Sequence, residues 1–435
     1  MNNGQNIPQG YKKTTIGFIP QGWEIKRLKT IVTPVKTFSY SRDKLSDNVQ
    51  TLIYIHYGDI HKSGEKYSVN LNVDRLPYLM DGILSENQIS ANDFPKLQSG
   101  DILLPDASED YDGIGHAWEL QNVGQQNVIG GLHTIAIRPN PQFVLLGYGS
   151  LMFYSWPVSK ALKRIAQGTK VYSISFNLID NIKILLPPLK EQQKIAEVLG
   201  TWDKAIEKQT QLIKKLELRK KGLMQQLLTG KKRLPGFNGE WKKVAFSSVI
   251  EKISNGYVYD VNSIGSVPIT RIETISKGFI DYTKVGYVQY VEELEKYKLR
   301  KGDILFSHIN SIAHIGKVAI FKSDKELYHG MNLLLIRAKE SMNKNYLYYF
   351  LSSTIARKKV RSFAKQAVNQ ASINTDELKK WTIYIPEVAE QNSIAEVLTA
   401  ADREIELAQQ KFELLRQQKS GLMQQLLTGK KRVKI

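Results

Sequence analysis

The stretch that decides the fold is GLMQQLLTGKKR at residues 222–233, which occurs again, letter for letter, at residues 421–432. At the same offset of 199 residues, the phrase IAEVL at 195–199 returns at 394–398, each time three residues after a Glu-Gln pair. Twelve identities in twelve positions exclude coincidence, and a fixed period is the signature of an internal repeat. The repeat unit is therefore about half of the 435-residue chain.

Both copies of the repeat carry the apolar spacing of a coiled-coil helix. Steps of 4 and 3 residues alternate without a break over ten positions, as in a heptad seam. Eight of the ten are apolar in the first copy and nine in the second, with a lysine, Lys220 or Lys419, at the same place in each. A Thr-Gly pair then supplies the glycine expected just past a helix end. The seam positions are Ile195, Leu199, Trp202, Ile206, Gln209, Ile213, Leu216, Lys220, Leu223 and Leu227 in the first copy, and Ile394, Leu398, Ala401, Ile405, Ala408, Phe412, Leu415, Lys419, Leu422 and Leu426 in the second.

The length of these seams favours a rod. A helix of roughly 40 residues spans about 60 Å at 1.5 Å per residue, whereas ordinary helices average about three turns. For a single copy, the alternative is a helix buried in an ordinary core. Two seams of equal length at the ends of two similar halves favour pairing with each other. An antiparallel pairing would relate the halves by a pseudo-two-fold axis, which suits a roughly two-fold target.

The segment before each helix is β-rich. Each opens with a tryptophan phrase, ending at Trp23 or Trp241, and continues with alternating runs such as 52–60 and 269–275. A Gly-Asp-Ile-Leu phrase follows in both, and prolines before each long helix stop the preceding strand. We therefore predict an α+β chain with two β-rich domains separated by a long antiparallel two-helix coiled coil. The predicted boundaries are 1–188 for the first β-rich domain, 189–233 for the first helix, 234–387 for the second β-rich domain and 388–435 for the second helix.

Composition favours a polyanionic partner. Lys and Arg number 61 against 42 acidic residues, a formal net charge of +19, and neutralised phosphates release their condensed counterions. The excess is +8 on residues 234–388 and +7 on 190–233, and +2 on each remaining segment. The alternative is a basic protein without a nucleic-acid partner.

The chain has no cysteine, which excludes disulfides, thiolate zinc sites and cysteine nucleophiles and fits a reducing compartment. Residues 1–15 lack the apolar core of a signal peptide, and nowhere do eighteen uncharged apolar residues follow one another. We expect a cytoplasmic protein with no membrane association.

In layout, the chain resembles the specificity subunit of Type I restriction-modification systems. The tryptophan phrase, the variable β-rich segment, Gly-Asp-Ile-Leu, the proline stop and the helix ending in GLMQQLLTGKKR all occur twice, and the resemblance covers essentially the whole chain. It implies two target-recognition domains, each reading one half of an interrupted DNA sequence and held apart by the coiled coil.

The resemblance also implies the partners. Double-stranded DNA is one, two methyltransferase subunits that carry the adenine-methylating site and S-adenosylmethionine are others, and a restriction and translocase subunit joins for cleavage. We expect no cofactor in this chain, with ATP and magnesium on the partner subunits.

Candidate DNA contacts come from polar residues of the β-rich segments. The loop after the second Gly-Asp-Ile-Leu, residues 306–317, is rich in short donors and acceptors, and the resemblance implies that it faces DNA. The corresponding stretch 104–111 is acidic and departs from this pattern. For each candidate the alternative is an ordinary exposed or strand-packing residue. The candidates are Lys36, Tyr40, Arg42, Tyr57 and His61 in the first half, and Tyr257, Tyr259, Arg271, Ser307, His308, Asn310, Ser311, His314 and Lys317 in the second.

Four glutamines that repeat identically off the seam, Gln225, Gln226, Gln424 and Gln425, are candidates for partner binding. Selection for one repeated partner would explain their identity, and a recent duplication is the alternative.

We predict no catalytic centre. There is no methyltransferase phrase, since Pro187-Pro188 is followed by Leu189, and Gly230-Lys231 lacks the upstream glycine and following Ser or Thr of a phosphate loop. The histidines lack the spacing of a helical metal pair, so no metal site is predicted. A coiled-coil adaptor with two β-rich protein-binding modules is the main alternative function, and a nuclease acting alone is a third.

Overall fold

The computed structural model describes residues 7–63, 66–86, 90–366 and 371–434. The chain divides into two compact units, one of Met1–Lys208 with Phe412–Ile435 and the other of Gln209–Lys411. Both units contain helices and open sheets, so the fold is α+β, as predicted. Each unit combines one β-rich segment with a part of both long helices.

The first unit contains the five-stranded sheet β4-β13-β9-β11-β7, the four-stranded sheet β12-β6-β8-β5 and three strand pairs, β1-β2, β3-β15 and β10-β14. Its strands are β1 Tyr11–Thr14, β2 Gly17–Pro20, β3 Glu24–Arg27, β4 Val32–Val35, β5 Leu45–Ser46, β6 Leu52–Ile55, β7 Ser68–Asn70, β8 Tyr78–Leu79, β9 Ile102–Pro105, β10 Ala107–Ser108, β11 Trp118–Gln121, β12 Val128–Gly130, β13 Thr134–Pro139, β14 Tyr172–Ser173 and β15 Lys183–Leu186. Its helices are α1 Tyr57–Lys62, α2 Asp81–Glu86, α3 Leu151–Tyr154, α4 Trp156–Ile165 and α5 Phe176–Ile179, followed by the long α6 Leu189–Leu227, with 3-10 turns at Leu28–Thr30, Arg42–Lys44 and Ala91–Asp93.

The second unit contains the antiparallel four-stranded sheet β17-β23-β20-β22, the three-stranded sheet β21-β25-β24 and the pairs β16-β26 and β18-β19. Its strands are β16 Lys242–Ala245, β17 Ile250–Asn255, β18 Val267–Ile269, β19 Gly286–Val288, β20 Ile304–Phe306, β21 Ile309–Asn310, β22 Val318–Ile320, β23 Leu334–Ala338, β24 Lys365–Gln366, β25 Ala371–Ser372 and β26 Thr382–Ile385. Its helices are α7 Lys344–Ser352, α8 Thr354–Ser362 and α9 Thr375–Lys380, followed by the long α10 Val388–Leu427, with 3-10 turns at Phe246–Val249, Ile272–Ile275, Tyr282–Lys284 and Glu292–Tyr297.

The same strand pairing closes both β-rich segments. The strand after Trp23, β3, pairs antiparallel with β15 just before α6, and the strand after Trp241, β16, pairs antiparallel with β26 just before α10. In each unit the strand after the Gly-Asp pair, β9 or β20, lies inside the largest sheet. The strand after the tryptophan phrase and the last strand of each segment therefore fix the point at which its long helix begins.

Two runs that the sequence suggested as strands are only partly so. The run 52–60 is a strand through Ile55 and then a helix, because the His56 ring accepts a hydrogen bond from Gly58 N and Asp59 accepts one from His56 N. These reciprocal bonds form a capping box, which favours a helix start over strand continuation. The run 269–275 likewise leaves its strand after Ile269 and becomes a 3-10 turn.

The core of the first unit joins sheet residues to both long helices. Trp23 is fully buried with Ile195 and Leu199 from the start of α6 and with Leu426 and Leu427 from the end of α10. Burying a leucine side chain contributes about 2 kcal/mol. The end of α10 is thus an integral part of the first unit.

The core of the second unit has the reciprocal composition. Ile394 and Leu398 from the start of α10 pack with Leu227 and Leu228 from the end of α6, beside Phe246 and other residues of the β-rich segment. Each unit is therefore completed by the last turns of the helix that belongs to the other sequence repeat. Among the described residues, no helix has both the length and the apolar character needed to cross a membrane.

Candidate nucleic-acid interface

A buried glutamate anchors the start of α6. Glu191 is fully buried, and its carboxylate accepts hydrogen bonds from Arg432 at 2.5 and 2.8 Å and from the Trp23 indole at 2.9 Å. A buried carboxylate is tolerated only when it is paired in this way. The repeated tail thus ends in an arginine that clamps the first β-rich segment to its helix.

The second unit builds the same clamp from the other copy. Glu390, also fully buried, accepts hydrogen bonds from Arg233 at 2.6 and 2.7 Å and from the Trp241 indole at 3.3 Å. The matching tryptophan phrases, Glu-Gln pairs and terminal arginines therefore have one structural role, which is performed twice.

The glutamine after each clamp glutamate holds a loop by its backbone. Gln192 accepts from Leu145 N at 2.9 Å and donates to Phe143 O at 2.8 Å. Gln391 accepts from Asn343 N at 3.0 Å and donates to Pro386 O at 2.9 Å. Both side chains are buried, so these bonds satisfy polar groups that water cannot reach.

The lysine of each predicted seam pairs with an aspartate of the other long helix. In the first unit Lys419, which is 3% exposed, forms an ion pair with Asp203 and lies 4.0 Å from the centre of the Tyr67 ring. In the second unit Lys220 pairs with Asp402, which also accepts a 2.7 Å hydrogen bond from the hydroxyl of Tyr349. A polar residue at a seam position specifies the register of paired helices.

Two such contacts in the second unit run in opposite order along the two helices. In the second unit Gln209 donates to Ala408 O at 2.8 Å, and the later Lys220 pairs with the earlier Asp402. All twenty predicted seam residues are buried or half-buried, whereas the residues between them are mostly exposed. The helix segments of a unit therefore contact each other through the predicted seam positions.

The Gly-Asp phrase has a structural role in both units. Asp101 accepts a two-pronged pair of hydrogen bonds from Arg138 at 2.8 and 2.7 Å, and Asp303 accepts the same from Arg337 at 2.7 Å each. Both aspartates are buried. The preceding glycines have φ of +93° and +95°, which residues with a Cβ rarely adopt. The phrase therefore fixes a turn, and its aspartates are held inside the unit.

The first-half candidates Tyr57 and His61 lie in one aromatic cluster. The Tyr57 ring centre is 4.5 Å from that of His56, 6.1 Å from that of His61 and 5.4 Å from that of His133. His61 donates from Nε2 to Ala107 O at 2.9 Å. The ring of His133 is 51% exposed, and Tyr57 and His61 are half-buried. This histidine-rich cluster, which we call the Tyr57 cluster, offers donors and a flat ring at the surface.

The other first-half candidates lie apart from one another. Lys36 is exposed and stands over the Phe38 ring at 5.3 Å, and Tyr40 is half-buried against Tyr54. Arg42 is exposed and forms an ion pair with Asp59 at 2.7 Å. Arg42 is thus linked through Asp59 to the capped start of α1, next to Tyr57.

The second-half loop divides into buried and exposed candidates. Ser307 and His308 are 1% and 8% exposed, and burial lowers the pKa of His308 to about 4. Their burial argues against direct base contacts by these two side chains. Ser311 and His314 are exposed, and Asn310 is half-buried. These three present the donors and acceptors of the loop.

Tyr257, Tyr259 and Arg271 are all half-buried. The Arg271 guanidinium donates to Val261 O at 3.0 Å. The Tyr259 hydroxyl donates to Thr270 O at 3.3 Å, and burial raises the pKa of this tyrosine. Lys317, the last candidate, donates to Ser276 O at 2.6 Å.

The four repeated glutamines do not behave alike. Gln225, Gln226 and Gln425 are exposed, but Gln424 accepts from Trp156 N at 2.8 Å and donates to Tyr154 O at 2.8 Å. Partner binding by these glutamines stays a prediction, and within the first unit Gln424 holds the backbone at Tyr154 and Trp156. Its backbone partners lie far away in the sequence, so no local pattern marks this role.

One matched feature escaped the sequence analysis. The phrase Ile-Gly-His at 114–116 corresponds to Ile-Gly-Lys at 315–317, and both glycines have positive φ, +85° and +76°. A Cβ on either glycine would lie within 3 Å of a helix side chain, Leu162 of α4 or Val360 of α8. The offset of 201 residues could have revealed it, but three residues are too few to stand out.

Within the part of the chain that the structure describes, no group of three or more His, Cys, Asp or Glu side chains is placed to hold a metal ion.

The comparison with protein families is decisive at this point. The profile described as "Type I restriction modification DNA specificity domain" matches residues 20–218 and again 238–417, one match for each half. The chain belongs to this family. Its function is the recognition of DNA targets as a specificity subunit of a Type I restriction-modification system.

Named relatives agree. The chain is 28% identical over 378 residues to the type I restriction enzyme MjaVIII specificity subunit of Methanocaldococcus jannaschii, covering 82% of this chain and 85% of that one. It is 23% identical to the EcoKI specificity subunit of Escherichia coli K12, over 87% of this chain and 82% of that one. A putative MjaX specificity subunit of M. jannaschii is 45% identical, but over 43% of this chain and 46% of that protein.

Solved structures support the fold. A chain from a study of complex assembly and conformational transition of the type I R-M system superposes with a TM-score of 0.58 at 17% identity, over 94% of this chain and 99% of that chain. The S subunit from M. genitalium gives a TM-score of 0.51 at 11% identity, over 93% and 96%. At these identities the similarity concerns the fold alone.

Proposed function

We propose that this specificity subunit reads a bipartite DNA target, one half-site with each β-rich segment, across an antiparallel coiled coil formed by α6 and α10. The observation that carries the proposal is the duplicated clamp, in which Glu191 and Glu390 each bind the arginine that ends the other repeat. The same frame thus presents two different polar surfaces. A frame that is repeated around differing surfaces suits two unlike half-sites related by approximate two-fold symmetry.

The chain itself is proposed to be non-catalytic. Two methyltransferase subunits would bring the adenine-methylating site and S-adenosylmethionine, and a restriction and translocase subunit would bring ATP and magnesium chemistry. The exposed Gln225, Gln226 and Gln425 remain candidates for docking these partners, and the complex would act in the cytoplasm. Base edges carry sequence information, whereas phosphate contacts set register.

The direct test is methylome sequencing of a host that expresses this chain with its cognate methyltransferase subunit. We expect one interrupted motif with a methylated adenine in each half. An unmethylated genome, with a complex that assembles normally, would contradict the proposal. If the chain binds its protein partners but shifts no DNA, the adaptor alternative is correct. If the purified chain degrades plasmid with magnesium, it is a nuclease.

A second test addresses the rod. Deleting one heptad from α6 and the matching heptad from α10 shortens the seam by about 10 Å. The methylated motif should then keep both half-sites and lose about two or three base pairs of spacer. A matched control removes one heptad from α6 alone, which breaks the pairing register and should abolish methylation. An unchanged spacer in the double deletion would rule out the rod.

A further inference from the structure

A small basic pocket lies beside the polar loop of the second unit. Its volume is about 200 Å³. It is lined by Lys317 at the end of the loop, by Arg357 of α8, and by Lys277 and Gly278, which follow the 3-10 turn Ile272–Ile275. Three cations therefore face one concave space. None of the charged residues that line it is acidic.

Two of these cations have no acidic partner among the described residues. Lys277 is paired with Asp281 at 3.0 Å. Lys317 donates to Ser276 O at 2.6 Å, and no ion pair involves it. The Arg357 Nε atom is buried and has no hydrogen-bond partner in the described part of the chain. Lys317 and Arg357 therefore carry an uncompensated positive charge into the pocket.

The surroundings make this charge costly. Burial, and then the nearby Arg357 charge, lower the pKa of Lys317, while burial and then the Arg361 charge lower the pKa of Arg357. Arg361 itself donates to Ala313 O at 3.1 Å, in the same loop. Cations that are desolvated next to like charges destabilise a fold unless an anion joins them.

The pocket has the donors that an oxyanion requires. A guanidinium with an unsatisfied Nε and an ammonium group in one concave space suit a tetrahedral anion with several acceptor oxygens. The exposed Ser311 and His314 lie in the loop that ends at Lys317. The end of the loop that carries these two candidates for reading bases therefore forms part of the pocket wall, through Lys317.

We propose that this Lys317–Arg357 pocket holds one backbone phosphate of the DNA duplex, an inference that rests on the proposed function. Such a contact fixes the register of the second β-rich segment and carries no sequence information itself. The first unit does not repeat it, because the positions that correspond to Lys317 and Arg357 are His116 and Ser159. The anchor belongs to the second half-site alone.

The test uses the assembled methyltransferase complex and a duplex that carries the methylated motif. For each of the variants Lys317→Met and Arg357→Met, we expect about tenfold weaker DNA binding. The slope of log K against the logarithm of the salt concentration should become shallower by about one phosphate contact. Half-site preference should not change. The matched control is Lys380→Met, an exposed lysine at the end of α9, which should leave the affinity within twofold.

Chemical neutralisation locates the phosphate. A single methylphosphonate, moved along the duplex, should weaken wild-type binding about tenfold at one position near the second half-site and should not weaken Arg357→Met further there. Thermal unfolding separates this role from a structural one, because removing a repelled cation should leave the melting temperature equal or raise it.

If both variants bind the duplex with wild-type affinity and salt dependence, the phosphate assignment of the pocket is wrong, but the proposed function stands. A wild-type complex that fails to bind the duplex would overturn both. If inorganic phosphate stabilises the wild type but not Arg357→Met, and no methylphosphonate position couples to Arg357, the pocket binds a free anion and the DNA assignment is wrong.

Discussion

In the first unit the Ile-Gly phrase at 114–115 is followed by His116, and in the second the corresponding phrase at 315–316 is followed by Lys317. Both glycines have positive φ, and they pack against Leu162 of α4 and Val360 of α8, each the seventh residue of its helix. The side chains that extend from this common turn differ, with an aromatic histidine-rich surface in one unit and a cationic pocket in the other. The repeated clamps and glycine turns were therefore duplicated together, while the surfaces beside them diverged.

The largest expected effect comes from breaking the two arginine–glutamate clamps. If the frame is duplicated, the two clamps should contribute equally to stability. Arg432→Met leaves the buried Glu191 without its cation, and Arg233→Met does the same to Glu390. Leaving a buried charge unpaired costs about 3 kcal/mol. We expect both substitutions to lower the free energy of unfolding by similar amounts, measured by urea denaturation.

The matched control for the clamps is Lys430→Met, since Lys430 is exposed and two residues from Arg432. It should change stability by less than about 0.5 kcal/mol. A large loss for one arginine and none for the other would show that the two frames are not equivalent.

One buried group in each unit should couple stability to pH, with opposite signs. In the first, burial raises the pKa of Glu119 to about 7 from 4.5, against hydrogen bonds from Gly147 and Ser150. The folded state then binds the proton more tightly than the unfolded state, so this stabilisation is present below pH 4.5 and lost as pH rises to about 7. Glu119→Gln should remove this decline in the free energy of unfolding, which amounts to at most about 3 kcal/mol.

In the second unit, burial lowers the pKa of His308 to about 4 from 6.5. Here the stabilisation is present above pH 6.5 and is lost as the pH falls toward about 4. His308→Gln should remove that acid-side loss. Stability profiles of the two variants against the wild type between pH 4 and 8 check both signs, and slopes of the same sign would contradict this comparison.

A smaller effect distinguishes a half-buried pair from an exposed pair on the long helices. Asp402→Ala removes the acceptor of both Lys220 and the Tyr349 hydroxyl, and we expect a loss of about 2 kcal/mol. Glu404→Ala breaks the exposed pair with Arg219, for which the loss should be below about 1 kcal/mol. Chemical denaturation compares the two, and equal losses would show that the Asp402 pair has no special role.

Sequence patterns were sufficient to predict the two long helices, α6 and α10, because heptad spacing and exact repetition can be read directly from the sequence. The helices Leu189–Leu227 and Val388–Leu427 begin where the sequence predicted and end about six and eight residues before the predicted segment bounds. The tryptophan phrases and Glu-Gln pairs were recognised as repeated, but the contacts between the glutamates and the terminal arginines join residues 157 and 241 positions apart. No local pattern encodes such a contact.

The DNA candidates were harder to predict because polar composition does not report burial. Ser307 and His308 looked equivalent to Ser311 and His314 in sequence, yet the first two are buried as the chain leaves β20. Lys317 was found from its loop, whereas Arg357, forty residues later on α8, joins it only in the folded unit. Residues that meet through the fold are invisible to spacing arguments.

The most direct test of a duplicated frame is to make the two surfaces identical. Residues 24–186, from β3 to β15, would be replaced by a second copy of residues 242–385, from β16 to β26, with both long helices unchanged. Methylome sequencing of a host that expresses this chain with its methyltransferase subunit should reveal an inverted repeat of the second half-site with the wild-type spacer. An asymmetric motif, or no methylation by a complex that assembles, would contradict the account.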